Sequence, residues 1–383
     1  MKLSRRGFIG ALGVGTATGV LSGSTLLSRP AYAQTRAAAM SKVYDGGIMQ
    51  LNQNESARGP GARVLEAIRE HSTKRVGRGY SPDHVNELRS TLADYYGVTN
   101  DNVLLATGST PLLEGAVHAF CSSDKPLVTA VPTYSTSAQT ARRLGFPIKE
   151  VQVDTGMSID LTGMAAASVG AGLVYLCNPN NPTGTVHSPA EVERFVRQVL
   201  AQSPETHILI DEAYINYVAD GLMETALPLA KEFPNVFITR SFSKAHGLAG
   251  MRIGYALGQE ATLDAIDSGW GMGDVNMLAA VAALTAFDDH EHIAWERDEN
   301  ARVRSFTTGV FTELGYEVPP SQTNHLFVNL RMPAARFREA CLAQKVSVGR
   351  DFPPMHNSHC RISLGSMEEM EIAAQVFRRV LTA

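Results

Sequence analysis

The stretch SFSKAHGLAGMRIGYALG, Ser241 to Gly258, places one amine, Lys244, directly after Ser241 and Ser243, with Arg252 eight positions on and glycines throughout. Glycine lets a backbone approach a ligand closely, and serine with arginine suits an anion. A second chemical group stands in HILIDEAYINY, where Asp211 and Glu212 end an apolar run. A carboxylate there is costly to bury without a cationic partner. Two more segments complete the set. LLATGSTPLLE turns through Gly108, Ser109 and Thr110, a geometry that aims backbone N–H groups and a helix dipole at an anion. YLCNPNNPTGT carries Asn178 to Gly184 with two X-Pro bonds, the mark of a rigid, shaped loop in which a cis bond is readily accommodated.

These segments need a frame that brings them together. NVLLATG, PLVTAV, IKEVQV, AGLVYLC, HILID, NVFITR and MRIGYAL read as strands, many of them apolar on both faces, as strands covered on both sides are. Helical segments such as TPLLEGAVHAF and SPAEVERFVRQVLAQS alternate with them, the second opening on Ser188 as cap and Pro189 in the first turn. The alternation predicts an α/β fold: a mostly parallel sheet with helices on both faces, followed by a smaller α+β domain built from HLFVNL, KVSVG, RISLG and two helices. The expected division is an N-terminal arm contributing to the small domain (34–76), a large domain (77–300) and a small C-terminal domain (301–383). Ligands of such sheets bind beyond the carboxyl ends of the strands, which is where all four segments fall.

An anion cradle, a buried carboxylate and an amine are together what pyridoxal 5'-phosphate requires: the amine meets its aldehyde, the carboxylate holds its ring nitrogen protonated, and the cradle takes its phosphate. Neither a GxGxxG nor a GxxxxGK[ST] motif is present to suggest a nucleotide instead. NNPTG, DEAY and SFSKAHGLAGMRIGY in sequence resemble the fold-type I pyridoxal phosphate aminotransferases, the histidinol-phosphate branch most of all, from about Leu51 to the C-terminus.

The resemblance implies roles. Lys244 is the amine that holds the cofactor and later moves a proton. Asp211 faces the ring nitrogen, and Tyr214 and Asn181 face the ring oxygen. Tyr134 stacks on the ring, while Ser109, Thr110, Ser241, Ser243 and Arg252 hold the phosphate. Arg361, in CRISLG, grips the substrate carboxylate, and Asn181 contributes to the same pocket. Tyr80, in GYSPD, reaches the phosphate of a neighbouring subunit, which implies a homodimer with shared sites.

Departures from the family pattern bear on the substrate. LNQNESARG puts Arg58 where a substrate-facing tyrosine is usual, Thr110 and Pro111 replace an acidic pair, and His246 replaces an aromatic residue. With Arg350 and Arg361, Arg58 is expected either to favour an acidic or phosphorylated substrate or to point to solvent, the commoner fate of an arginine. The same cofactor machinery serves racemases, lyases and oxidases, for which His246 or Asp274 is the candidate second acid–base; a binding protein that merely keeps the fold would have no need of Lys244.

The remaining composition narrows the setting. The 383-residue chain is 44% hydrophobic and 19% charged, with a net charge of −4 and no basic stripe, which argues against nucleic acid. Cys121, Cys177, Cys341 and Cys360 are widely spaced and predicted to be buried thiols. The first 33 residues differ in kind: Arg5 and Arg6 precede Gly7-Phe8-Ile9 and a run rich in Gly, Ser and Thr, which ends at Ala31-Tyr32-Ala33. They resemble a twin-arginine export signal cleaved after Ala33, too polar to be a membrane anchor. The mature protein, at about −8 without Lys2, Arg5, Arg6 and Arg29, is expected in the periplasm after handling by the twin-arginine machinery. Histidine biosynthesis is cytoplasmic, so export speaks for the aminotransferase chemistry and against that pathway.

Overall fold

The computed structural model describes residues 47–78 and 83–382; the segment that resembles an export signal and Tyr80 lie outside the described residues. Its central sheet contains β2 (Val103–Ala106), β3 (Leu127–Val131), β4 (Ile148–Gln152), β5 (Leu173–Cys177), β6 (His207–Asp211), β7 (Val236–Ser241) and β8 (Gly254–Leu257), in the order β2-β8-β7-β6-β5-β3-β4. Every one runs in the same direction except β8, which pairs antiparallel with both β2 and β7. Successive side chains of a strand point to opposite faces. In β5, accordingly, Leu173, Tyr175 and Cys177 enter one apolar cluster while Val174 and Leu176 enter another on the far side. Both faces are buried, as the unbroken apolar runs predict.

The reversed strand matters for the site. Because β7 and β8 are antiparallel neighbours, the chain leaves and re-enters the sheet at one edge, so Ser241–Lys244 and Arg252 stand together there. Parallel β2, β3, β5 and β6 end at that edge too, and deliver Ser109, Tyr134, Asn181 and Asp211.

Local chemistry sets the crossover helices. Helix α6 (Pro189–Gln202) begins with a reciprocal capping box between Ser188 and Glu191 and buries Val192, Phe195, Val196 and Val199. Helix α3 (Thr110–Phe120) starts directly after Ser109, with proline in its first turn, and buries Leu112, Leu113 and Val117. A separate apolar cluster gathers β9 (His325–Asn329), β11 (His359–Ser363), β10 (Val346–Val348) and the early strand β1 (Met49–Leu51), which pairs parallel with β10. The segment before Gly77 is divided: β1 joins this cluster, whereas helix α1 (Ala62–His71) packs on helix α9 (Met277–Asp288) and sends Val64 into the core of the large sheet. The four cysteines are buried and free. Among the described residues no helix is long and apolar enough to cross a membrane.

Candidate active site

A cleft of about 380 Å³ opens beyond the carboxyl edge of the sheet. Lys244 reaches into it from the β7–β8 connection, its Nζ donating to the Asn54 carbonyl at 3.2 Å and lying 5.5 Å from the centre of the Tyr214 ring. Burial, with the charge of Arg361, lowers the Lys244 pKa to about 8 against the pull of Glu55 and Asp211. About a tenth of the amine is therefore neutral and nucleophilic at pH 7, far more than in an exposed lysine.

The two acidic residues that end β6 are treated differently. Glu212 is satisfied by the protein: Arg240 holds it through Nε at 2.9 Å and NH2 at 2.8 Å, and the Ala226 N–H donates at 2.6 Å. Asp211 receives the Tyr175 hydroxyl, at 2.9 Å, and the Ala213 N–H, at 3.2 Å, and makes no ion pair among the described residues. Burial raises its pKa to about 6. A cation presented from the cleft is what this carboxylate lacks.

Tyr214 is held by two amides. Asn54 Nδ2 donates to its hydroxyl at 3.0 Å and Asn181 Nδ2 at 3.2 Å. Asn181 in turn accepts Arg361 NH1 at 3.0 Å, while Arg361 NH2 donates to the Asn52 carbonyl at 2.5 Å. The remaining Nε of Arg361 is buried without a hydrogen-bond partner among the described residues. Asn52, Asn54 and Glu55 line the cleft and were not singled out from the sequence. The signal for them was present in the N-x-N-E spacing, but an asparagine one turn before a glycine-rich segment reads equally well as a loop residue.

The class I and II aminotransferase family matches residues 46–377. The chain belongs to that family. It is 33% identical to the histidinol-phosphate aminotransferase of Gluconacetobacter diazotrophicus over 88% of this chain and 92% of the relative. It is 32% identical to the aromatic amino acid aminotransferase of Mycobacteroides abscessus, over 84% and 90%. The crystal structure of histidinol-phosphate aminotransferase from Sinorhizobium meliloti in complex with pyridoxal 5'-phosphate superposes with a TM-score of 0.79 at 26% identity, covering 91% of this chain and 94% of that one. The chain is a pyridoxal phosphate-dependent aminotransferase.

The side chains of this aminotransferase suit that cofactor. Ser109, Thr110, Ser241, Ser243 and Arg252 line one end of the cleft, where a helix N-terminus meets a guanidinium. Arg252 adopts left-handed backbone, φ 56°, and its NH1 touches Ser243 Oγ at 3.4 Å and the Ala249 carbonyl at 2.9 Å. The space beside it exists only because of glycine: a Cβ on Gly108 would run into Arg252 NH2, and one on Gly254 would lie 2.7 Å from the Ser109 nitrogen. Asp211 and Tyr134 line the same cleft, the carboxylate of the first suiting a ring N–H⁺, and Arg350 stands in it with its guanidinium 4.9 Å from the Phe352 ring. Both prolines of the NPNNP loop follow cis bonds.

Arg58 corrects an expectation. It does not line the cleft. Its Nε and NH2 grip the two oxygens of Glu296, at 2.6 and 2.8 Å, and its NH1 meets the Gly365 carbonyl at 3.3 Å. Glu296 is wholly buried on helix α10 (His290–Glu313), where it also receives Ser56 and Tyr217, so the arginine is drawn inward to neutralise it. Arg58→Ala is expected to cost about 3–5 kcal/mol of stability in chemical denaturation, the usual effect of stranding a buried charge, while changing KM for the amino donor less than about twofold. A large rise in KM with unchanged stability would return Arg58 to the substrate. His246 lines a separate cavity of about 80 Å³ with Glu212 and Arg240, where burial lowers its pKa to about 3, and Asp274 is exposed. Neither offers the cleft a second acid–base.

Proposed function

We propose that this protein is an exported, homodimeric aminotransferase that moves an amino group between an amino acid and a 2-oxo acid outside the cytoplasm. The observation that carries the chemistry is the Lys244 amine, deprotonated more easily than a free lysine, standing in one cleft with the cation-seeking carboxylate of Asp211. When bound, pyridoxal phosphate supplies an aldehyde to carry the amino group and a ring that withdraws electrons from the substrate Cα. Asp211 would hold a proton on the ring nitrogen. Lys244 would hold the cofactor through its amine, and that amine, when free, would take up and give back a proton at the substrate Cα. Arg361 fixes the substrate carboxylate, for which its free Nε and neighbouring NH groups are suited. Arg350, in the same cleft, favours donors with a second negative group.

Export is supported by Arg5-Arg6, the weakly apolar run and Ala31-Tyr32-Ala33. Folded export suits a protein that loads its cofactor before leaving the cytoplasm. The dimer is supported by the likeness of Tyr80 to the tyrosine by which one subunit of such enzymes reaches its neighbour's phosphate. An exported enzyme would not meet histidinol phosphate, so the donor is a free amino acid and not the substrate in the relatives' name. The test is fractionation of producing cells with N-terminal sequencing, run beside a panel of amino donors and 2-oxo acids. The reading requires periplasmic activity, a chain beginning at Gln34, and turnover with an amino acid pair. A cytoplasmic chain beginning at Met1 that turns over histidinol phosphate would overturn it.

A further inference from the structure

His325 is fully buried at the start of β9 and does not line the cleft. Its Nδ1 lies 2.9 Å from Asn54 Nδ2, and its ring meets Tyr214 edge-on at 5.2 Å. The hydrogen bonds around Asn54 orient its amide. The Asn54 backbone N–H donates to Ser363 Oγ at 2.9 Å, and the Ser363 hydroxyl donates to Asn54 Oδ1 at 2.6 Å. Nδ2 then faces Tyr214 and His325 together and donates to both. His325 must be the acceptor at Nδ1, with its ring proton on Nε2.

The other amide on Tyr214 is fixed independently. Arg361 can only donate, so Asn181 presents Oδ1 to it and Nδ2 to Tyr214. The Tyr214 oxygen thus accepts two N–H groups, which fill its two lone pairs. Its own proton has one direction left, into the cleft. We infer that His325 is a positioning residue, which through Asn54 keeps the Tyr214 hydroxyl donating to whatever occupies the cleft. Were the His325 proton on Nδ1, the Asn54 amide would turn to accept it, and Oδ1 would take the Tyr214 proton away from the cleft. Burial holds His325 neutral, which removes the imidazolium as a competitor. The Asn54 backbone is pinned by Asn324 Nδ2, at 3.0 Å from its carbonyl, so the amide turns only about its own side-chain bonds.

The inference rests on cofactor binding in this cleft, which the wild-type visible absorption reports separately. A hydroxyl that donates to the cofactor ring oxygen stabilises its anion, so loss of the donor raises the proton affinity of the chromophore. The titratable groups about Tyr214 include Lys244, Arg361, Tyr134, Cys177, Tyr217 and His325, and only the last is changed. The experiment is a pH titration of the visible band in cofactor-loaded wild type, His325→Leu and His325→Asn, with thermal melting of each apoprotein. His325→Leu removes the acceptor and is expected to raise the midpoint by about one pH unit, the usual worth of a hydrogen bond to a charged group. His325→Asn retains an acceptor near the Nδ1 position and is expected to restore most of that shift. If His325→Leu fails to fold, Ser363→Ala, which frees the other end of the Asn54 amide, decides the matter by an upward shift. Unchanged midpoints, or equal shifts in the leucine and asparagine variants, would overturn the assignment. So would a variant that changes only the melting temperature.

Discussion

Lys244→Ala lowers the transamination rate by about ten-thousandfold or more, because it removes a covalent nucleophile and an acid–base group at once. The variant should still bind pyridoxal phosphate through the anion cradle, with weaker affinity and an absorption maximum like that of the free aldehyde. The amine is matched to its task by its surroundings. Burial and the nearby Arg361 bring its pKa to about 8, so cofactor loading of the apoprotein should speed up as pH rises through about 8 and level off above it. An exposed lysine would keep gaining to pH 10 and beyond. Single-turnover loading rates between pH 6 and 10 check this. A residual activity within tenfold of wild type in Lys244→Ala would mean that another amine does the work.

Asp211→Asn is the second large effect, about a thousandfold in kcat, the scale on which a single electrostatic stabiliser of a developing charge acts. The amide can replace the carboxylate structurally: its oxygen keeps the Ala213 N–H, and its nitrogen donates to a rotated Tyr175 hydroxyl. It cannot keep a proton on the ring nitrogen, and without that proton the ring no longer draws charge from Cα. Stability should respond in the opposite sense. Burial raises the Asp211 pKa from its ordinary value near 4 to about 6, so between these pH values the folded apoprotein binds more protons than the unfolded chain. This group therefore stabilises the apoprotein less as pH rises through that window. Above pH 6 the asparagine variant should melt no lower than wild-type apoprotein. Equal pH dependence in the two proteins, or a variant that loses stability and activity together, would contradict this account.

Much of this site was legible because its groups sit where one-dimensional signals are strong. The apolar runs that become β5, β6 and β7 end at Cys177, Asp211 and Ser241, and ligands of such sheets collect beyond those ends. Asp211 and the loops that carry Asn181 and Lys244 therefore stand at that edge. The reversal of β8 was not legible, since MRIGYAL has the same apolar character in either direction; yet that reversal is what brings Arg252 beside Ser243. Arg58 was misread for a related reason. Its destiny depends on Glu296, 238 positions away, and no local pattern pairs the two. Asn54 and His325 were missed because their importance lies in which atom donates to which, and a sequence carries residue types without orientations.

The central claim is that Lys244 carries the cofactor. Borohydride reduction of the pyridoxal phosphate-loaded protein, followed by peptide mass mapping, tests it most directly. The expected result is one pyridoxyl adduct on the peptide containing Lys244, absent when an amino donor is added before reduction. An adduct on a different lysine, or none on a protein that nonetheless transaminates, would contradict it.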